Sequence, residues 1–417
     1  MLVNGLKPYQ QTPIINFDRV LLQRAVHHTR ATLRGLIGTH LSRNLTFTES
    51  CNALERSTSC GPFVPGVKSD YWDEETQMFT GHLHQHLAQY WDMVHRGQVP
   101  DNAYKLALKD ELRPIEKNEE GKRRLLWGAD AGVTLICTAA LKNVSERLAE
   151  VVPLNPIAVG TNMDSCQVEM MNAALVNRIV YNVDYSKWDS TMQPTIISSA
   201  VNLLAEWCEP SQITSAATQI LTSRAIGHFE DVMFQANTGL PSGMPFTSVI
   251  NSTCHMILLA MAILKAYEDA GVPYTGIVFE NEVIWTYGDD GLYGLTLATS
   301  SLMPNILNNL RAFGLSPTAP DKSPEITPTL SPVFLKRTFI TTPNGVRAAL
   351  DQTSILRQFY WVKAQRSSDI YSPPRIDPVV RTQQLNVALA MAAVHGPEFY
   401  KKVAEVAQKC ADAEGLV

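Results

Sequence analysis

At 417 residues, 45% hydrophobic and 18% charged, the chain has the make-up of a globular protein of roughly two to three domains, not of a disordered or fibrous one. Its formal net charge of −5 excludes indiscriminate coating of nucleic acid, so any polyanion must meet a local basic surface. Seven scattered cysteines without a CxxC pair exclude a zinc ribbon or disulfide framework and suit a reducing compartment. In chain order, Phe17 to His40 has apolar residues at helical spacing (Val20, Leu21, Ala25, Leu33, Leu36) and is expected to be a helix. The Gly-, Pro- and Ser-rich STSCGPFVPGVKSDYWDEE then reads as a loop. Lys105 to Arg124 is the most charged window, with seven basic and five acidic residues.

Asn177 to Asp184 (NRIVYNVD) is β-branched and aromatic, so a buried strand is expected. An amphipathic helix follows over Pro194 to Trp207. The loop Gly239 to Gly243 opens a long helix from Pro245 to Ala270, with Pro245 in its first turn and Gly271 just past its end. VIWTYGDDGLYGL reads as a hairpin around Asp-Asp-Gly, and Leu302 to Phe313 as a helix stopped by Gly314. Val333 to Thr342 and Val346 to Leu350 form a second hairpin around Pro343-Asn344-Gly345, and the remainder is mostly helical apart from SSDIYSPPRIDP. Strand, helix, long helix, hairpin, helix and strand predict an α+β fold with a ferredoxin-like antiparallel centre. The longest apolar run, Met256 to Leu264, is too short for a membrane span, and MLVNGLKPYQQ lacks the pattern of a signal peptide.

Asp289 and Asp290 stand at the expected hairpin tip, where adjacent carboxylates repel unless a cation neutralises them. Oxygen-only ligands favour Mg²⁺ or Mn²⁺, although Asp-Gly is also common in plain solvated turns. YGDD as a tetrapeptide is sharper, arising by chance in roughly one chain in 400. Asp184 ends the buried strand and either faces Asp289 across a pair of metal ions or serves as a cap or ion-pair partner. Asp189, five residues on, is placed to reach a sugar. Thr247 and Asn251 share a helix face and, with Ser242, suit a ribose 2′-hydroxyl, the alternative being bonds within the helix start. The basic window suits a triphosphate, although its acids also fit a solvated face. Walker A, GxGxxG and HExxH motifs are absent, and GLPSG is not a hydrolase elbow.

The order D-x4-D, SG-x3-T-x3-N, YGDD and a later lysine is the palm layout of positive-strand viral RNA polymerases. DYSKWDST, GLPSGMPFTSVINS, KDELRPIEKN with GKRRLLWG, STSCGPFV, PVFLKRTF and RQFYW resemble calicivirus RNA-dependent RNA polymerases, most closely the sapovirus type. That resemblance implies a closed right hand: fingers over 1–175 and 209–240, palm over 176–208 and 241–351, and an incomplete thumb over 352–417. It implies Asp184, Asp289 and Asp290 as ligands of two Mg²⁺ or Mn²⁺ ions, and Lys322 as the acid that protonates departing pyrophosphate. Asp189, Ser242, Thr247 and Asn251 would recognise the ribose, and Lys109, Arg113, Lys117, Lys122 and Arg124 the triphosphate. Ser57, Thr58, Ser59 and Gly61 would guide template RNA, and Lys336 and Arg337 the primer strand. The implied partners are template and nascent RNA, NTPs and other viral replicase proteins, met in host cytoplasm at replication complexes without an intrinsic membrane anchor. Both termini look shortened against the family. A non-catalytic RNA-binding or scaffold fragment of a replicase, or a reverse transcriptase, are the competing readings.

Overall fold

The computed structural model describes residues 2–109, 115–119, 124–360 and 376–416. The chain divides into two compact units, one of Met1–Thr161 with Asn177–Pro328 and the other of Asn162–Val176 with Thr329–Val417. The centre of the first unit is a four-stranded sheet. Strand β1 (Ile179–Tyr185) is followed by helix α1 (Thr247–Asp269), strands β2 (Val283–Tyr287) and β3 (Asp290–Leu295), helix α2 (Met303–Ala312) and strand β4 (Pro317–Thr318). The strands lie in the order β4-β1-β3-β2, all neighbours antiparallel. Strand, helix, hairpin, helix and strand therefore return the last strand beside the first.

Helix α1 is buried on every side from Val249 to Leu264 and is mostly apolar along that length, as expected of a helix enclosed in a core. It packs against Arg19–Ile37, Pro194–Ala205, α2 and β2. Its length and composition alone would let it cross a membrane, but 89% of its apolar window is buried inside the protein, so it is a core helix. Gly271 at φ 69° ends it, with its N–H bonded to Glu268 O at 3.0 Å and that of Val272 to Tyr267 O at 3.0 Å.

Four sequence expectations are corrected. The hairpin turns on Gly288 and Asp289, while Asp290 is already paired with Tyr287 and Gly291 with Thr286. Of the two turn residues only Gly288 has positive φ (62°), which glycine adopts without a Cβ penalty, so the turn falls one residue earlier than Asp-Asp-Gly suggests. Pro245 lies before the long helix. Phe246 at φ 58° is its N-cap, and a left-handed residue cannot be part of a right-handed helix. The expected strand from Val333 to Thr342 is interrupted at Leu335 and Lys336, both at positive φ, so Val333–Phe334 folds back on Arg337–Thr342. The helix expected over Leu302 to Phe313 is Met303–Ala312, preceded by the separate short helix Leu297–Ser301, with Gly314 at φ 83° beyond it.

A second four-stranded sheet in this unit runs Leu125–Ala129, Ala103–Leu108, Ile226–Phe229 and Val232–Gln235 in spatial order. Its first strand leads out of Arg124, which places that side chain close to the central sheet's acidic end. The second unit has its own sheet and its own core. Its three-stranded sheet (Val333–Phe334, Arg337–Thr342, Gly345–Leu350) is tied to 162–176 by Arg337 to Asp164 and Arg347 to Glu169, each at 2.7 Å. Helices Pro378–Ala393 and Pro397–Glu414 close a core around Leu385, Ala388 and Val403. Buried Arg381 satisfies its guanidinium on Glu414 at 2.9 Å and on the carbonyls of Gln358 and Phe359 at 3.2 Å.

Candidate active site

Antiparallel pairing brings the acidic residues together. Val183 pairs with Gly291, so Asp184 at the end of β1 lies beside the turn that carries Asp289. Asp184 Oδ1 accepts the Tyr185 N–H at 2.6 Å, and Oδ2 accepts from the ammonium of Lys322. Removal of water around Asp289, and then the negative charge of Asp184, raise the Asp289 pKa above the ordinary carboxylate value, while Lys322 and Arg124 oppose the rise. Asp189 is pushed up to about 6 by loss of water and by Asp289, against Arg124 and Asn251.

A second polar group forms around Trp188. Its indole N–H donates to Asn251 Oδ1 at 2.9 Å, and the Asn251 amide donates in turn to Asp189 Oδ1 at 3.4 Å. Thr247, in contrast, donates its hydroxyl to the carbonyls of Pro241 and Met244 and so closes the loop before α1. That loop presses on the second sheet, where a Cβ at Gly243 would stand 1.6 Å from Trp127 O.

A cavity of about 470 Å³ opens in front of these residues, lined by Lys109, Arg124, Asp189, Ser242 and Asp289. Tyr9 and Gly5, from the N-terminal helix Leu2–Gln11, form another wall with Lys187 and Trp188. Sequence reasoning missed this second group. Lys187 and Trp188 were inside a motif already quoted, but nothing in the local sequence of Tyr9 points to a site. Lys187 in that wall, Phe246 before α1 and Lys322 beside Asp184 have positive φ without being glycine, a backbone state that carries a steric cost.

Asp184, Asp290, Thr247, Asn251 and Lys322 stand outside the lining itself. Arg113 and Lys122, and the side chain of Lys117, fall outside the described residues. Ser57, Thr58, Ser59 and Gly61 form a separate loop held by Lys68, whose ammonium donates to Thr58 Oγ1 and Ser59 O at 2.7 Å. In the second unit Lys336 is exposed, whereas Arg337 is mostly covered and occupied by Asp164.

Among the described residues, no group of three or more His, Cys, Asp or Glu side chains is gathered as a ready metal cage. The donor set still fits a hard dication. Asp184 and Asp289 are all-oxygen donors that repel each other, and Mg²⁺ is commonly held by one or two carboxylates with substrate phosphates completing its shell. The cations now facing them, Lys322 and Arg124, do part of what such an ion would do.

A sequence model of the family described as "Viral RNA-dependent RNA polymerase" matches residues 1–411. The chain is 39% identical over 425 residues to the genome polyprotein of Feline calicivirus (strain Cat/United States/Urbana/1960), covering 100% of this chain and 24% of that polyprotein. It is 40% identical over 424 residues to the genome polyprotein of Vesicular exanthema of swine virus serotype A48, covering 100% of this chain and 22% of the relative. The chain thus spans about a quarter of the length of the curated relatives it matches. Among solved structures, Sicinivirus 3Dpol RNA dependent RNA polymerase has a similar fold, with TM-score 0.78 at 20% identity over 99% of this chain and 85% of that one.

Proposed function

The chain belongs to the family of viral RNA-dependent RNA polymerases, and from that premise we propose that it extends RNA by template-directed nucleotidyl transfer from NTPs to a 3′-hydroxyl. One observation carries the reading: Asp289, Asp189, Lys109 and Arg124 face a single cavity, with Asn251 bonded to its lining residues Trp188 and Asp189 and with Asp184 beside the turn that carries Asp289. Carboxylates, a sugar-facing amide and cations are the three chemistries that nucleotidyl transfer needs in one place.

In this reading Asp184 and Asp289, assisted by Asp290, hold Mg²⁺ or Mn²⁺. Such ions, when bound, stabilise charge on the attacking and leaving oxygens. Asn251 and Asp189, with Ser242, bind the ribose hydroxyls, while the remaining role of Thr247 is to shape the loop that presents Ser242. Lys109 and Arg124 take the triphosphate, joined by Arg113, Lys117 and Lys122 of the same window. Lys322 releases Asp184 and delivers a proton to the departing pyrophosphate. Ser57, Thr58, Ser59 and Gly61 guide the template, and Lys336 with Arg337 meets the primer strand.

In the same reading the fingers span 1–175 and 209–240, the palm 176–208 and 241–351 with the ferredoxin-like sheet at its centre, and the thumb 352–417. The similarity to calicivirus polyproteins supports a polymerase unit released from a polyprotein, which copies and transcribes a positive-strand genome in host cytoplasm with other replicase proteins. A sapovirus-type origin is the finer form of this reading, supported by the motif segments. A homopolymer test decides the template requirement. Poly(C) should direct incorporation of GMP alone, and incorporation indifferent to template sequence would refute the proposal.

A further inference from the structure

Beneath the hairpin turn, helix α1 binds both backbone polar groups of the residue that precedes Asp289. Ser252 Oγ accepts the Gly288 N–H at 2.9 Å, and the ring of His255 meets the Gly288 carbonyl through Nδ1 at 2.9 Å. A carbonyl only accepts, so Nδ1 carries the proton and Nε2 is left as an acceptor. Nε2 therefore takes the hydroxyl proton of Tyr293, and the Tyr293 oxygen lies 3.1 Å from the hydroxyl of Tyr185, next to Asp184. His255, Ser252 and Tyr293 are fully buried. The rings of Tyr185 and Trp188 also pack on the imidazole, with centroids 5.1 and 4.8 Å away.

Deepening the polymerase reading on which it rests, we propose that Ser252 and His255 are positioning residues that set the spacing of the two metal-binding carboxylates. Backbone pairing alone leaves a glycine-containing turn free to rock about its last ladder pair, Tyr287 with Asp290. Two side-chain bonds from a rigid core helix remove that freedom. Through Tyr293 and Tyr185 the same imidazole is linked to the strand that carries Asp184. Ser252 and His255 are three residues apart on one helix face, and Asn251 on that helix holds Trp188 and Asp189. One helix thus references the turn, the Asp184 strand and the sugar-facing amide to a common frame. Outer partners of this kind commonly tune metal affinity by about tenfold to a hundredfold.

The test is binding of Mn²⁺ alone to the full chain, followed by the electron paramagnetic resonance signal of the free ion, with melting temperature and RNA affinity measured alongside. Asp289→Asn identifies the site. Ser252→Ala and Tyr293→Phe remove one hydroxyl each with little change of volume, and His255→Phe removes both ring nitrogens. The expected result is Mn²⁺ affinity lowered about tenfold in Ser252→Ala and more in His255→Phe, at near wild-type RNA affinity. His255→Asn, which restores a donor to Gly288, should recover part of the loss. Wild-type Mn²⁺ affinity in both Ser252→Ala and Tyr293→Phe, with Asp289→Asn defective, would overturn the positioning role and leave the polymerase reading intact. Absence of any Asp289-dependent Mn²⁺ site in the wild type would overturn both.

Discussion

Trp188 holds Asn251 in one orientation: an indole N–H only donates, so Asn251 must turn its oxygen to Trp188, 2.9 Å away, and its amide hydrogens to Asp189. Asp189 lines the cavity, and Asn251 behind it fixes that carboxylate, so in the proposed reading the two offer a carboxylate and an oriented amide to an incoming sugar. An RNA-making site gains selectivity from such groups because a missing 2′-hydroxyl leaves them unpaired.

Asn251→Ala should accordingly loosen discrimination against dNTPs by about tenfold, the scale of one lost hydrogen bond to a charged network. Competing incorporation of NTP and dNTP measures it. Selectivity equal to wild type would remove Asn251 from sugar recognition.

Lys322→Leu should slow the single-turnover step from several-fold to about a hundredfold while NTP and RNA binding survive, as expected of a general acid. The ion pair with Asp184 makes the prediction two-sided, because the leucine variant also leaves that carboxylate without its present cation. A single-turnover rate equal to wild type would exclude Lys322 from the chemistry.

Burial lowers the His255 pKa to about 4, against its ordinary value of 6.5. The fold thus favours the neutral ring, and the unfolded chain binds the proton more readily. The resulting stability is fully present above about pH 6.5 and is lost as pH falls towards 4, by up to about 3 kcal/mol. Urea unfolding at pH 7.5 and pH 4.5 should show a steeper loss in wild type than in His255→Asn. Parallel losses would contradict a buried neutral imidazole.

Gly243→Ala should destabilise the protein by about 3 kcal/mol, because its Cβ would meet backbone, not a movable side chain. If the chain still folds, the loop must lift from the strand that leads to Arg124, and KM for NTP should rise. An unchanged melting temperature would show that the loop does not sit as described.

Much of this arrangement was legible because its signals are local. The β-branched run before Asp184, the apolar length of α1 and the Gly-Asp-Asp turn each announce an element, and their order suffices for the central sheet. The exact turn position was not legible: Asp-Asp-Gly and Gly-Asp are both good turn sequences, and only the pairing of Tyr287 with Asp290 separates them. Pro245 misled because a proline suits a first helical turn, whereas the left-handed Phe246 that excludes it is set by Thr247 bonding back to Pro241 and Met244. Tyr9 reached the cavity wall through contacts with residues more than two hundred positions away, such as the bond of Asn237 N–H to its carbonyl at 2.9 Å. No periodicity encodes contacts of that range. Nothing in the local sequence of His255 points to Gly288, which is 33 residues away in the chain.

The most direct measurement of the central claim is labelled-NTP incorporation on an RNA template with Mg²⁺ or Mn²⁺, wild type beside Asp289→Ala. The reading expects template-dependent RNA from the wild type and its loss in the variant, with RNA binding retained by both. RNA bound by both proteins but extended by neither would contradict it and favour a non-catalytic scaffold.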